Sequence, residues 1–102
     1  ADAHAAIVRR GLDAAFARGD TTHLRERARY FLDVAPDPAE ALRAAVDNWA
    51  LQREAADARV LLEAAAAAGD RGAAAPVVAW MDDARIDDAV LARARARLEG
   101  RP

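Results

Sequence analysis

Few residue types in this chain can do chemistry. His4 and His23 are the only histidines. They fall in different helical segments with no carboxylate at a matching spacing, whereas a metal site needs clustered ligands. Both read as surface or helix-start residues. There is no Cys, Ser or Lys. That removes disulfides, thiolate metal sites and the usual activated nucleophiles. Thr21 and Thr22 stand where a helix begins and suit capping. Asp82-Asp83 and Asp87-Asp88 bracket Ala84-Arg85-Ile86. Paired carboxylates can bind a cation or do acid–base work. No third group orients these, so they read as helix ends. The residue types therefore predict no enzyme, no metal and no cofactor.

The arginines are the remaining chemistry. All 15 cationic side chains are Arg, set against 17 acidic ones for a formal charge of −2. Arg25 and Arg29 lie one helical turn apart, off the apolar stripe of their segment. Arg59 occupies the comparable place in a later segment. A guanidinium fork grips a carboxylate with two parallel hydrogen bonds, so such arginines suit an acidic or carboxyl-terminal peptide. They equally suit pairing within their own helix, Arg29 with Asp33 and Arg59 with Glu63, at about 0.2–0.5 kcal/mol each. Arg93, Arg95, Arg97 and Arg101 crowd the end of the chain without interleaved aromatic residues. They read as a solvated terminal helix, and the balanced charge predicts no nucleic-acid binding.

The elements that position these residues are helical throughout. Hydrophobic residues make up 54% of the 102 residues, more than half of them Ala, so the chain is a single folded domain over 1–102. The skew toward Ala and Arg points to a GC-rich bacterial genome. The start at Ala1 predicts a fragment of a longer chain. No signal peptide is visible, and no uncharged run approaches the roughly 20 residues a bilayer span takes, so no membrane insertion is expected. Ala, Leu, Arg and Glu favour helix, and no segment alternates as a strand does. Breaks fall at Gly19-Asp20, Pro36-Asp37-Pro38, the softer Arg53–Asp57, Gly69-Asp70 and Asp87-Asp88. The implied helices are 3–18, 22–34, 38–53, 56–68, 71–84 and 88–99.

Several boundaries have clear causes. Asp37-Pro38-Ala39-Glu40 sets a capping Asp before a Pro suited to the first helical position. Gly19 and Gly69 suit the left-handed residue that closes a helix. Pro76 cannot sit mid-helix without a cost of about 3 kcal/mol, so the fifth helix must start late or kink near Gly72–Pro76. The apolar stripes are Leu24, Ala28, Phe31 and Ala35, then Leu42, Ala45, Val46 and Trp49. They continue as Ala58, Leu61, Leu62 and Ala65, and Val77, Trp80, Met81 and Ala84. Helix starts recur about every 17 residues, and two helices make a unit of about 34.

From Asp57 to Trp80 the text resembles a tetratricopeptide repeat. Leu61-Leu62 and Ala65 fall where its first helix packs, Gly69-Asp70 at the turn, and Ala74 and Val78 where its second helix packs. Upstream, His23–Ala35 and Ala41–Glu54 resemble the two helices of a preceding repeat. The closing Pro of the family is Ala55 here, and the Trp, Leu-Gly and Tyr positions are not all met. The resemblance implies an all-α fold of about six helices, with antiparallel hairpins over 22–53 and 56–84 stacked as a short right-handed solenoid. The opposite pairing of helices and a HEAT-like array are the structural alternatives.

The resemblance also implies a function, that of a module binding a protein or peptide in a concave groove. The first helix of each hairpin would line that groove, bringing Arg25, Arg29, Arg59 and Glu63 to face it. Tyr30 could reach in with its hydroxyl. Trp49 and Trp80 read as core, and Asn48 and Gln52 beside Trp49 could hydrogen-bond a peptide backbone. The alternative is a spacer within a longer repeat protein, with no ligand of its own.

Overall fold

A computed structural model describes residues 23–101. Among them the chain is all-helical, without strands. The expected first helix, 3–18, lies outside the described residues, as do His4, Thr21 and Thr22. Five α-helices follow in order: α1 (Leu24–Asp33), α2 (Pro38–Leu51), α3 (Ala55–Ala68), α4 (Ala75–Asp83) and α5 (Ala89–Leu98). A 3-10 turn, Arg71–Ala74, leads into α4.

The boundaries follow from local chemistry. Asp37 caps α2 by accepting the Glu40 N–H at 3.2 Å, with Pro38 in the first turn. Gly69 closes α3 in the left-handed region at φ 68°, where the Asp70 N–H reaches the Ala65 carbonyl at 2.9 Å. Asp88 starts α5 by accepting from the N–H groups of Val90 and Leu91 at 2.9 and 3.1 Å. Pro76 sits in the first turn of α4, because the preceding residues form the 3-10 turn instead of continuing an α-helix. The late start expected near Gly72–Pro76 is thus observed.

The core centres on α3. It packs on α1, α2 and α5, with α4 and the 3-10 turn also against it. Its Ala58, Val60, Leu61, Leu62, Ala64 and Ala65 are all buried. The alanines let neighbouring axes approach closely, and Phe31, Leu61, Leu62 and Leu91 fill the volume between them. Trp49 and Trp80 meet edge to face with centroids 5.3 Å apart, tying α2 to α4. Five stripe positions differ from expectation. Val46 is 41% exposed and Ala84 is exposed, while Ala35, Leu42 and Trp80, the last expected in the core, are only partly buried. The buried edge of α2 runs instead through Ala41, Ala44, Ala45, Asn48 and Trp49.

Candidate functional site

A surface hollow of about 450 Å³ lies between α1 and α3. Tyr30, Val34 and Ala56 give it an apolar lining. Arg25, Glu26, Arg29, Asp33 and Arg59 ring it with charge. Helical geometry explains the grouping: Arg25, Arg29 and Asp33 succeed one another at one-turn intervals along α1, as do Glu26, Tyr30 and Val34.

Ion pairs within and between the helices fix the ring. Arg29 Nη1 donates to Glu63 Oε1 at 2.7 Å, and Arg59 Nε donates to Glu63 Oε2 at 2.6 Å. One carboxylate therefore bridges two guanidinium groups. Arg29 also stands 3.5 Å from Asp33. Partial burial pushes the Glu63 carboxyl up, but the hydrogen bonds from Arg29 and Arg59 outweigh it and hold the group below its ordinary value. The same contact, above all its hydrogen bond, raises the Arg59 guanidinium further.

Arg25 points to a second anchor. Its Nη1 lies 3.3 Å from Asp57 Oδ1, and that carboxylate is fully buried. Asn48 Nδ2 donates to the same oxygen at 2.7 Å, and the Glu54 backbone N–H donates to Oδ2 at 3.0 Å. Asp57 thus caps α3 while holding α1 and α2 to it, and its polar atoms are satisfied.

Of the seven residues the sequence assigns to a groove, Arg25, Arg29, Tyr30 and Arg59 line this hollow, and Glu63 pairs with two of them. Tyr30 borders it although only 6% exposed, its ring stacked edge to face on Phe31 at 5.1 Å. Asn48 is placed differently. It is 3% exposed and its amide is spent on Asp57, so it does not face a peptide backbone. Gln52 is exposed at the end of α2, outside the lining of the hollow. Sequence reasoning missed Asp57, Val34 and Ala56. Asp57 had a signal, an acid three residues after Glu54 at a helix start.

Two smaller features border the hollow. The Ala56 and Arg59 side chains are shared with a hollow of about 240 Å³ on the α5 side, lined also by Ala55, Asp88, Val90 and Leu91. Asp33 is shared with a third, of about 410 Å³, which reaches Arg97.

The other candidates stay apart. Asp82 pairs with Arg95 at 2.8 Å and Asp88 is committed to its helix start, so the acidic pairs form no joint site. His23 lies 3.1 Å from Glu26. Among the described residues no group of three His, Cys, Asp or Glu could hold a metal ion, and no helix is long and apolar enough to cross a membrane. No family model, curated protein or solved structure matches the chain.

Proposed function

We propose that this chain is a protein-interaction module that holds a peptide segment of its partner in the α1–α3 hollow. The observation that carries the proposal is the hollow itself: an open apolar lining whose rim sets three arginines, Arg25, Arg29 and Arg59, against two carboxylates, Glu26 and Asp33. That combination suits an apolar side chain beside a carboxylate, as specific sites pair apolar area with a few placed polar groups. The contacts of α3 with both α1 and α5 are those expected of a tetratricopeptide-like solenoid, and they support that reading of the fold. So does the Arg29–Glu63 pair, whose members stand 34 positions apart, one such repeat.

The test is affinity capture from a nuclease-treated bacterial lysate, with wild type beside Val34→Asp. Val34 is 55% exposed, so the variant keeps its fold while placing a charge in the hollow. A partner held by wild type and lost by the variant supports the groove. The same partners on both would remove it.

One observation favours the scaffold reading. Arg25 and Arg29 are each bound to a carboxylate on the neighbouring helix, which is what bracing between stacked units requires. On that reading Arg29→Ala lowers stability and no groove substitution changes binding.

A further inference from the structure

The three groove arginines are not equivalent, and the difference singles out Arg59. Arg25 and Arg29 each commit one terminal nitrogen, Nη1, to Asp57 and Glu63, which turns their forks toward the neighbouring helix. Arg59 meets Glu63 through Nε alone. Its two terminal nitrogens donate to no described residue, and its side chain is 52% exposed. It stands where the α1–α3 hollow meets the α3–α5 hollow, as part of both linings. On the first side the apolar surface is Val34 and Tyr30, on the second Val90 and Leu91, and Ala56 is common to both. Val34 and Val90 are large apolar side chains left 55% and 39% exposed. The nearby Asp88 carboxylate accepts from its own helix start and, like Asp33, acts on Arg59 through its charge without hydrogen-bonding to it.

A guanidinium held through Nε, with its two terminal nitrogens open between the exposed side chains of Val34 and Val90, has a definite complement. We infer that α5 belongs to the binding face, and that the partner segment carries an acidic residue flanked on both sides by apolar residues. Its carboxylate accepts from both terminal nitrogens of Arg59, one apolar side chain lies against Val34, and the other against Val90. Each feature has a physical need behind it. Two parallel hydrogen bonds fix the carboxylate in the plane of the fork. Apolar groups on either side remove water from that pair, which strengthens it. This inference rests on the proposed groove and extends it by a second subsite. It also makes the recognised carboxylate a side chain within the partner's chain, independent of a chain terminus.

The experiment uses the whole chain labelled with nitrogen-15 and a short peptide, acetylated and amidated so that it has no terminal charge, in which Glu is flanked by Leu on both sides. Binding is followed through backbone amides and arginine Nε–H signals. The expected result is movement of the Arg59 Nε–H signal together with the amides of Ala55, Ala56, Val90 and Leu91. Replacing the peptide's Glu by Gln should weaken binding roughly tenfold, the size of a charge-assisted hydrogen bond. Arg59→Lys should weaken it similarly, because Lys keeps the charge but not the fork. Arg59→Lys leaves Glu63 held by Arg29, so the fold survives the change. Shifts confined to Arg25, Glu26 and Val34 would overturn the second subsite and leave the α1–α3 groove standing. No shift on either side, or equal binding of the Gln peptide, would overturn the assignment of Arg59, while capture with Val34→Asp decides the groove separately.

Discussion

Asp57 gives the sharpest test of how the helices are held together. Replacing it with Ala removes three contacts at once: Asn48 at 2.7 Å, the Glu54 N–H at 3.0 Å and Arg25 at 3.3 Å. Their losses differ in kind. Asn48 is 3% exposed, so its amide becomes a buried donor without a partner, at about 1–3 kcal/mol. Loss of the helix-start contact costs about 1 kcal/mol. Arg25 is 45% exposed and regains water, so its share is small. Against these stands relief from burying a carboxylate, which keeps the net near about 3 kcal/mol. For a domain this size that is a fall in Tm of roughly 12–24 °C. Urea unfolding followed through Trp49 and Trp80 fluorescence measures it, and Asn48→Ala with Asp57→Ala completes a double-mutant cycle. The double variant leaves no buried Asn48 amide orphaned, so it should cost clearly less than the sum of the singles. Strict additivity, or a loss below about 1 kcal/mol for Asp57→Ala, would refute the network as described.

Three further outcomes follow from single sites. Arg85 sits at φ 52°, in the left-handed region, where it ends α4 with the Ile86 N–H on the Met81 carbonyl at 3.0 Å. Arg85→Gly should therefore stabilise by about 1 kcal/mol in urea unfolding, and a loss of stability would contradict that strain. Gly69→Ala should cost about 1 kcal/mol in the same assay. An added Cβ there meets nothing within 4 Å, so the cost is one of backbone conformation, and an unchanged midpoint would count against it. Glu63 titrates below its ordinary value in the folded chain, so the stability it adds is present above the unfolded value of about 4.3 and is lost as pH falls through the folded one. The stability gap between wild type and Glu63→Gln should narrow on acidification below about pH 4, and a gap constant with pH would refute the coupling.

Much of the fold was legible because its causes are local. A capping Asp before Pro38, a Gly able to take the left-handed conformation at 69, and a Pro barred from a helix interior each act within one turn. Every helix expected after residue 22 is found with its ends shifted by a few residues. Stripe assignment failed where two helices compete to cover one face. In α2 the periodic pattern admits Val46 as readily as Ala44, but α1 and α3 approach on the Ala41–Ala45 side and leave Val46 in solvent. Asn48 was misread for a related reason. Beside a Trp on a helix it looks like an exposed amide, and only a carboxylate arriving from the next helix makes its burial affordable.

The site shows how far a local pattern can reach. Spacing within a helix identified Arg29–Asp33 and Arg59–Glu63, and both pairs form. The same rule could not see that Glu63 also accepts from Arg29 at 2.7 Å, because that contact joins α1 to α3. Yet its members stand 34 positions apart. If α1 and α3 are successive copies of one unit, Arg29 and Glu63 occupy the same position in each, and opposite charges there attract across the stack. Arg25 and Arg59 are then also the same position, with like charges that cannot pair with each other. Each must find a carboxylate elsewhere: Arg25 turns inward to Asp57, and Arg59 reaches Glu63 with Nε only. On the proposed repeat reading, units that carry opposite charges at one position and like charges at another would be held together through the first and keep donors over at the second. The open terminal nitrogens of Arg59 would then follow from that stacking, and the proposed partner carboxylate would meet them without breaking the Arg29–Glu63 contact between the helices.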